Sequence, residues 1–137
     1  FTRLSDDPIL QYENSNIHVE DPFLWYDGKR KVFALIAKDD SKNGDFGLTG
    51  EWGAGFYAES EDCLHFVVAK SPKAYSRQIV WQDGGQDQLC NLERPSILFN
   101  DQGEPERLYF AAGKGNSPYG FIGTSFVLSI PLKKKKD

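Results

Sequence analysis

An all-β fold is predicted by three observations. Short runs rich in β-branched and aromatic residues recur along the chain, punctuated by Gly, Asp, Asn and Pro. No window of helical length sustains an apolar period of 3.6 residues, and proline falls in or beside several of the runs. The third observation is a repeat. Val19-Glu20-Asp21-Pro22-Phe23-Leu24-Trp25-Tyr26-Asp27-Gly28 returns loosely as Leu92-Glu93-Arg94-Pro95-Ser96-Ile97-Leu98-Phe99-Asn100-Asp101-Gln102-Gly103. Both copies read apolar, Glu, a charged residue, Pro, an apolar run with an aromatic near its end, then an Asp-containing turn closed by Gly. The Glu recurs 73 residues on and the apolar run that follows (32–37, then 108–112) about 76 residues on, so the copies differ by a small turn insertion. A period of this size with several strands per unit points to sheets arranged radially, a β-propeller or a related array.

The elements follow in order. Phe1-Thr2-Arg3-Leu4-Ser5-Asp6-Asp7-Pro8 resembles Phe66-Val67-Val68-Ala69-Lys70-Ser71-Pro72, which closes the first unit, so residues 1–10 read as the last strand of an earlier blade. Strands are predicted at 23–26, 32–38, 55–58 and 65–69, which is the strand content of one propeller blade. Asp27-Gly28 and Asp101-Gln102-Gly103 read as hairpin turns, Gly supplying the positive φ that tight connections need. In the turn Glu61-Asp62-Cys63-Leu64, Cys63 holds the third place, where Gly is the ordinary choice. A further run spans 79–82, and a second unit carries strands at 96–99, 108–112 and 125–130. The connections 39–52 and 113–124 contain Gly. Such loops on one face of a propeller either shape a ligand pocket or are simply surface.

These runs divide the chain into the end of a preceding blade and its link (1–18), one blade and link (19–91), a following blade (92–132) and a basic tail (133–137). Two nearly whole blades and a remnant do not close a ring of at least four. Closure is therefore expected from upstream blades of the same protein or from a second copy. The start in mid-pattern at Phe1 and the absence of Met point the same way.

Composition narrows the class. A chain of 137 residues, 39% hydrophobic and 14% aromatic with 13 Gly, suits a globular β-rich protein rather than a disordered one. The net charge of −4 argues against a nucleic-acid partner. The one basic run, Lys133 to Lys136, is terminal and reads as a solvated tail or an anchor for a partner or surface. No apolar stretch approaches the roughly 20 residues that span a bilayer, so no membrane partner is expected. Cys63 and Cys90 do not make a disulfide framework and are expected to be free thiols; neither has His or Cys at ligand spacing. Gly113-Lys114-Gly115 lacks the setting of a phosphate loop, and no Gly-x-Ser-x-Gly is present.

The sharpest candidates for chemistry are Glu20, Asp21 and Glu93. A carboxylate one or two places before Pro is constrained, because Pro fixes its own φ and is expected to keep the preceding residue extended. Positions repeated between blades sit at equivalent radii, so both sets point to the same end of the axis. Two converging carboxylates are what glycosidic cleavage requires, one protonated to donate to the leaving oxygen and another ionised. The alternative is that these residues cap turns or pair with Arg94.

At this point the two motifs resemble those of the five-bladed β-propeller glycoside hydrolases. That superfamily holds the arabinanase and xylosidase type (family 43), the invertases and the neoagarobiose hydrolases. Glu20-Asp21-Pro22 is similar to the Arg-Asp-Pro of the invertase branch, with Glu in place of Arg, and Glu93-Arg94-Pro95 to its Glu-Cys-Pro, with Arg in place of Cys. Further similarity to bacterial members runs through 17–26, 60–65, 74–81, 91–99 and Ile130-Pro131-Leu132. The resemblance implies a glycosidase of plant or algal oligo- or polysaccharides, extracellular or periplasmic, with Glu93 as proton donor and Asp21 as stabiliser of the transition state. The general base would be an Asp on a first blade upstream of Phe1. Asp6 and Asp7 precede Pro8, but the repeat places them at the end of an outer strand. The chain alone is therefore expected to be inactive. No organic cofactor is implied, although the resemblance allows a divalent ion on the propeller axis. A non-catalytic carbohydrate-binding propeller and a self-assembling structural fragment are the alternatives.

Secondary candidates for substrate binding are His18, Glu20, Asp39, Arg77 and Arg94. His18 could instead pack at the start of its strand, and Arg94 pair with a carboxylate. Tyr75-Ser76-Arg77 and Asp39 lie at expected loop ends. Trp25 and Trp81 are either sugar-stacking platforms or core, and His65 is read as structural.

Overall fold

A computed structural model describes residues 2–10, 12, 16–41, 47–115 and 123–132. Phe1, most of the 39–52 loop tip, the middle of the 113–124 connection and the basic tail lie outside the described residues. The fold is all-β, in three open antiparallel sheets. The first contains β1 (Val19–Asp27), β2 (Val32–Asp39), β3 (Gly55–Ser60) and β4 (Val67–Tyr75) in the order β1-β2-β3-β4. A short hairpin of β5 (Gln78–Val80) and β6 (Gln86–Gln88) follows. The third sheet is β7 (Asn91–Phe99), β8 (Pro105–Gly113) and β9 (Ser125–Pro131), also a meander.

The four-strand content expected of the first unit is met. Ala34 to Ala37 on β2 are all buried, because apolar cores cover both faces of this inner strand. Ile36 joins a core shared with the third sheet through Leu92, Leu108, Phe110 and Leu128, while Leu35 and Ala37 face a second core with Phe56 and Ala58. Alternation along a strand divides one apolar run between two cores.

Several boundaries differ from the sequence reading. β1 and β7 begin four or five residues earlier than expected, because a β-bulge lets each strand continue through its proline. Glu20 pairs with Lys38 and Phe23 with Ile36, and in the same way Glu93 pairs with Ala111 and Ser96 with Tyr109. One extra residue is thus inserted in each copy at the same place in the motif. Asp21 and Arg94, expected to be extended before their prolines, instead have φ of 51° and 52°. The bulge requires the left-handed region there, and its pairing overrides the local preference.

The first hairpin also departs from expectation. Its positive φ falls on Lys31 rather than Gly28, and the loop is closed by the Lys31 N–H on the Asp27 carbonyl at 2.7 Å. The Asp27 side chain accepts from the N–H groups of Lys29 and Arg30. Gly103 does hold positive φ, as does Cys63 in the turn where Gly would be ordinary. Both cysteines are free thiols, with the Cys90 Sγ–H directed to the Gly113 carbonyl. Residues 2–10 form no strand, so the expected last strand of an earlier blade is not seen there. Leu4 and Ile9 are exposed in this segment.

Candidate functional site

The two bulges face each other. The Asp21 carboxylate on β1 accepts the Arg94 backbone N–H of β7 at 2.9 Å, a direct link between the repeated motifs. Positive φ at Arg94 turns that N–H out of the β7–β8 ladder, and the bulge makes it available.

Beside this link, one cation gathers three carboxylates. Lys38 is the next-to-last residue of β2, and its side chain is only 5% exposed. Its ammonium donates to Glu93 at 3.0 and 3.2 Å and to Glu20 at 3.4 Å, and lies 3.5 Å from Asp40. The Trp52 ring centroid is 5.4 Å from the Lys38 nitrogen, and the Trp52 indole N–H donates to Asp40 at 2.9 Å. Burial disfavours the Lys38 ammonium, but the Glu93 hydrogen bond and the charges of Glu93, Asp40 and Glu20 outweigh it. Its pKa is held above the ordinary lysine value.

Asp39 does not belong to this set, contrary to the sequence expectation. It is buried, and its oxygens accept from the N–H groups of Ser41, Leu48 and Thr49 and from the Thr49 hydroxyl. Gly47 sits so close to this carboxylate that any Cβ would collide with it. Asp39 therefore organises the loop after β2, and alternation turns it away from Lys38.

Arg77 is likewise a structural strap rather than a pocket residue. Its guanidinium donates to the carbonyls of Trp52 (2.7 Å) and Leu89 (3.0 Å) and stacks on the Trp52 ring at 5.0 Å. Its backbone N–H donates to Glu51, which also accepts from Ser76 and Lys73. Burial opposes the Glu51 charge, but these donors prevail and hold its carboxyl below the usual range. Arg77 thereby helps to fix the Trp52 ring, whose indole N–H meets Asp40.

The remaining candidates divide. His18 is exposed, and its backbone N–H donates to the Ser41 hydroxyl while its carbonyl accepts from Asp40. Glu20 reaches the cluster through Lys38, and Arg94 reaches it through its main chain. Trp25 packs in the shared core against Phe23, Tyr57 and Phe99. Trp81 packs there too, with its N–H on Asp87 and the Lys114 ammonium over its ring. His65 binds Asp62 within a surface turn at 2.6 Å, as its structural reading expects.

Lys38, Asp40 and Trp52 escaped the sequence reading. Lys38 carried a signal, since it directly continues the apolar run 32–37, although Lys31 adjoins the other end of that run in the same way. Among the described residues no group of His, Cys, Asp and Glu could hold a metal ion. A divalent ion does not fit this arrangement, because the carboxylates converge on the Lys38 ammonium.

Next to Glu93 is a groove of ≈ 380 Å³ lined by Asn91, Glu93, Arg94, Ala111, Ala112, Gly113 and Ser125. Glu93 is thus shared between an internal cation and open space. A larger, mainly apolar groove of ≈ 600 Å³ runs between the β5 hairpin and β9, away from the carboxylates. No known protein family, curated protein or solved structure matches the chain.

Proposed function

We propose that this chain supplies two carboxylate-bearing blades of a β-propeller glycoside hydrolase acting on plant or algal oligo- or polysaccharides. The observation that carries the reading is the Asp21–Arg94 hydrogen bond, which brings the two repeated motifs together and with them Asp21 and Glu93. Glu93, at the edge of an open groove, gives its proton to the leaving oxygen as the glycosidic C–O bond breaks. Water adds to the anomeric carbon, and its proton passes to an Asp on a blade upstream of Phe1. Asp21, beside the donor, supports the positive charge that develops on the sugar.

A donor needs one oxygen free to carry the proton, and both Glu93 oxygens accept from Lys38 in this structure. Glu20 and Asp40 lie within 3.5 Å of the same ammonium, so Lys38 has other partners when it releases Glu93. The same clasp favours a second reading, a carbohydrate-binding propeller without catalysis, in which Glu93 stays paired and the groove only holds sugar.

The test is Glu93→Gln in the protein expressed from its complete reading frame, assayed on plant and algal oligosaccharides. Loss of about 10²–10⁴-fold in kcat with the fold intact is expected. Unchanged turnover removes Glu93 as donor. Binding of oligosaccharide with no hydrolysis by the unmodified protein selects the second reading.

A further inference from the structure

Tyr75 is one of two described residues whose buried side-chain oxygen has no hydrogen-bond partner. The residue is 6% exposed, and leaving such a hydroxyl unpaired forfeits the hydrogen bonds it would make with water. A phenylalanine would fill the same space without that cost. The strand register shows where the ring sits. Glu20 pairs with Lys38, Lys38 with Gly55, and Gly55 with Tyr75, so the four form one row across the first sheet. Residues in one row share a face. Gly55 leaves that face open, and any Cβ there would collide with the Tyr75 ring. The ring crosses this gap from the far strand toward Lys38 and is held edge-on against Phe110 at 4.6 Å.

We propose that Tyr75 is a positioning residue of the carboxylate site, its phenol O–H being the donor that engages Asp21 or Glu93 when Lys38 releases its hold on Glu93. The inference rests on the glycosidase reading for its role in turnover, but not for its placement. Burial pushes the phenol pKa upward, and the charges of Asp21 and Glu93 push it further the same way. The hydroxyl therefore keeps its proton through the neutral range and is able to donate it to a carboxylate. Lys38 brings charge to Glu93 and Tyr75 brings a neutral donor, so Glu93 can exchange one for the other without facing an empty apolar wall.

Two experiments test this. In the 137-residue chain with ¹³Cζ-labelled tyrosine, the Tyr75 resonance is identified by its loss in Tyr75→Phe. Asp21→Asn and Glu93→Gln are expected to move that resonance and leave the other tyrosines in place, while Tyr75→Phe melts no lower than the unmodified chain. In the complete protein, Tyr75→Phe is expected to lower kcat about tenfold, the size of one hydrogen bond, and to move a limb of the kcat/KM profile to higher pH, the acid limb where the partner is Asp21 and the alkaline limb where it is the donor Glu93. A Tyr75 resonance indifferent to both carboxylates, or an unchanged pH profile, overturns the proposal. So does a clear drop in melting temperature in Tyr75→Phe, which would mean the hydroxyl is already paired at rest. If the unmodified complete protein binds oligosaccharide without hydrolysing it, the glycosidase reading fails, and the resonance still decides whether Tyr75 serves the carboxylates.

Discussion

The openings of the first and third sheets use one backbone device and fill it in opposite ways. Both insert a bulge with positive φ just before a proline, at Asp21 and at Arg94. Across from the first bulge, β2 ends in Lys38 and Asp39 and is followed by Asp40, all buried. Across from the second, β8 ends in Ala111, Ala112 and Gly113, and the space beside them is a groove. Each copy therefore lacks what the other provides. The first unit brings the cation and most of the charge, and the second brings the carboxylate with an open approach. The repeat sets the geometry, and the divergence between copies sets the chemistry.

The largest way to break this comparison on stability is Lys38→Met. It removes the cation that the Glu20, Asp40 and Glu93 carboxylates share at this point. Removing one partner of a buried ion pair costs about 3–5 kcal/mol, and the exposure of Glu20 and Glu93 lowers the expected loss to about 2–3 kcal/mol. The equivalent change in the second unit, Ala111→Met, falls on an exposed residue and is expected to stay within about 0.5 kcal/mol. Urea denaturation of the two variants reads the difference directly. Equal losses would mean that the first unit's charges contribute no more than a surface.

A pH experiment sharpens the same contrast with a smaller effect. The Lys38 pKa is raised above its ordinary 10.5, so its contribution to stability is complete below that value and fades as pH rises through the folded value. The unmodified chain is expected to lose stability above about pH 10.5 through a component that Lys38→Met lacks. Parallel alkaline melting curves for the two proteins would show that the clasp does not stabilise the fold.

Much of the fold was legible because the relevant forces are local. Apolar runs such as 32–37 and 108–112 mark inner strands, and Gly103 marks its turn, since backbone strain is written in residue type. The repeat also pointed to Glu20, Asp21 and Glu93, two of which join the Lys38 cluster while Asp21 bridges to Arg94. What stayed hidden depends on register. A single inserted residue decides that Lys38 rather than Asp39 faces Glu93, and no composition or spacing rule reports an insertion on the opposite strand. The strap that Arg77 forms stayed hidden for a related reason. Its partners, the carbonyls of Trp52 and Leu89, are main-chain groups brought close only by tertiary packing.

The subtlest contrast lies in the bulges themselves. A non-glycine residue in the left-handed region costs about 1–2 kcal/mol, less for Asp, whose short side chain tolerates it. Arg94→Gly relieves that cost and keeps the backbone N–H that Asp21 accepts, so a gain of about 0.5–1 kcal/mol is expected after the extra freedom of the unfolded chain is subtracted. Asp21→Gly relieves a smaller strain and removes the acceptor, leaving the Arg94 N–H without its carboxylate. Its expected effect is a loss of about 0.5–1 kcal/mol. The two glycines should thus act in opposite directions at φ values that differ by one degree. Denaturation midpoints at constant m decide the matter. If both variants gain equally, backbone strain alone separates these positions and the hydrogen bond between the sheets adds nothing; opposite signs measure what that bond contributes to holding Asp21 beside Glu93.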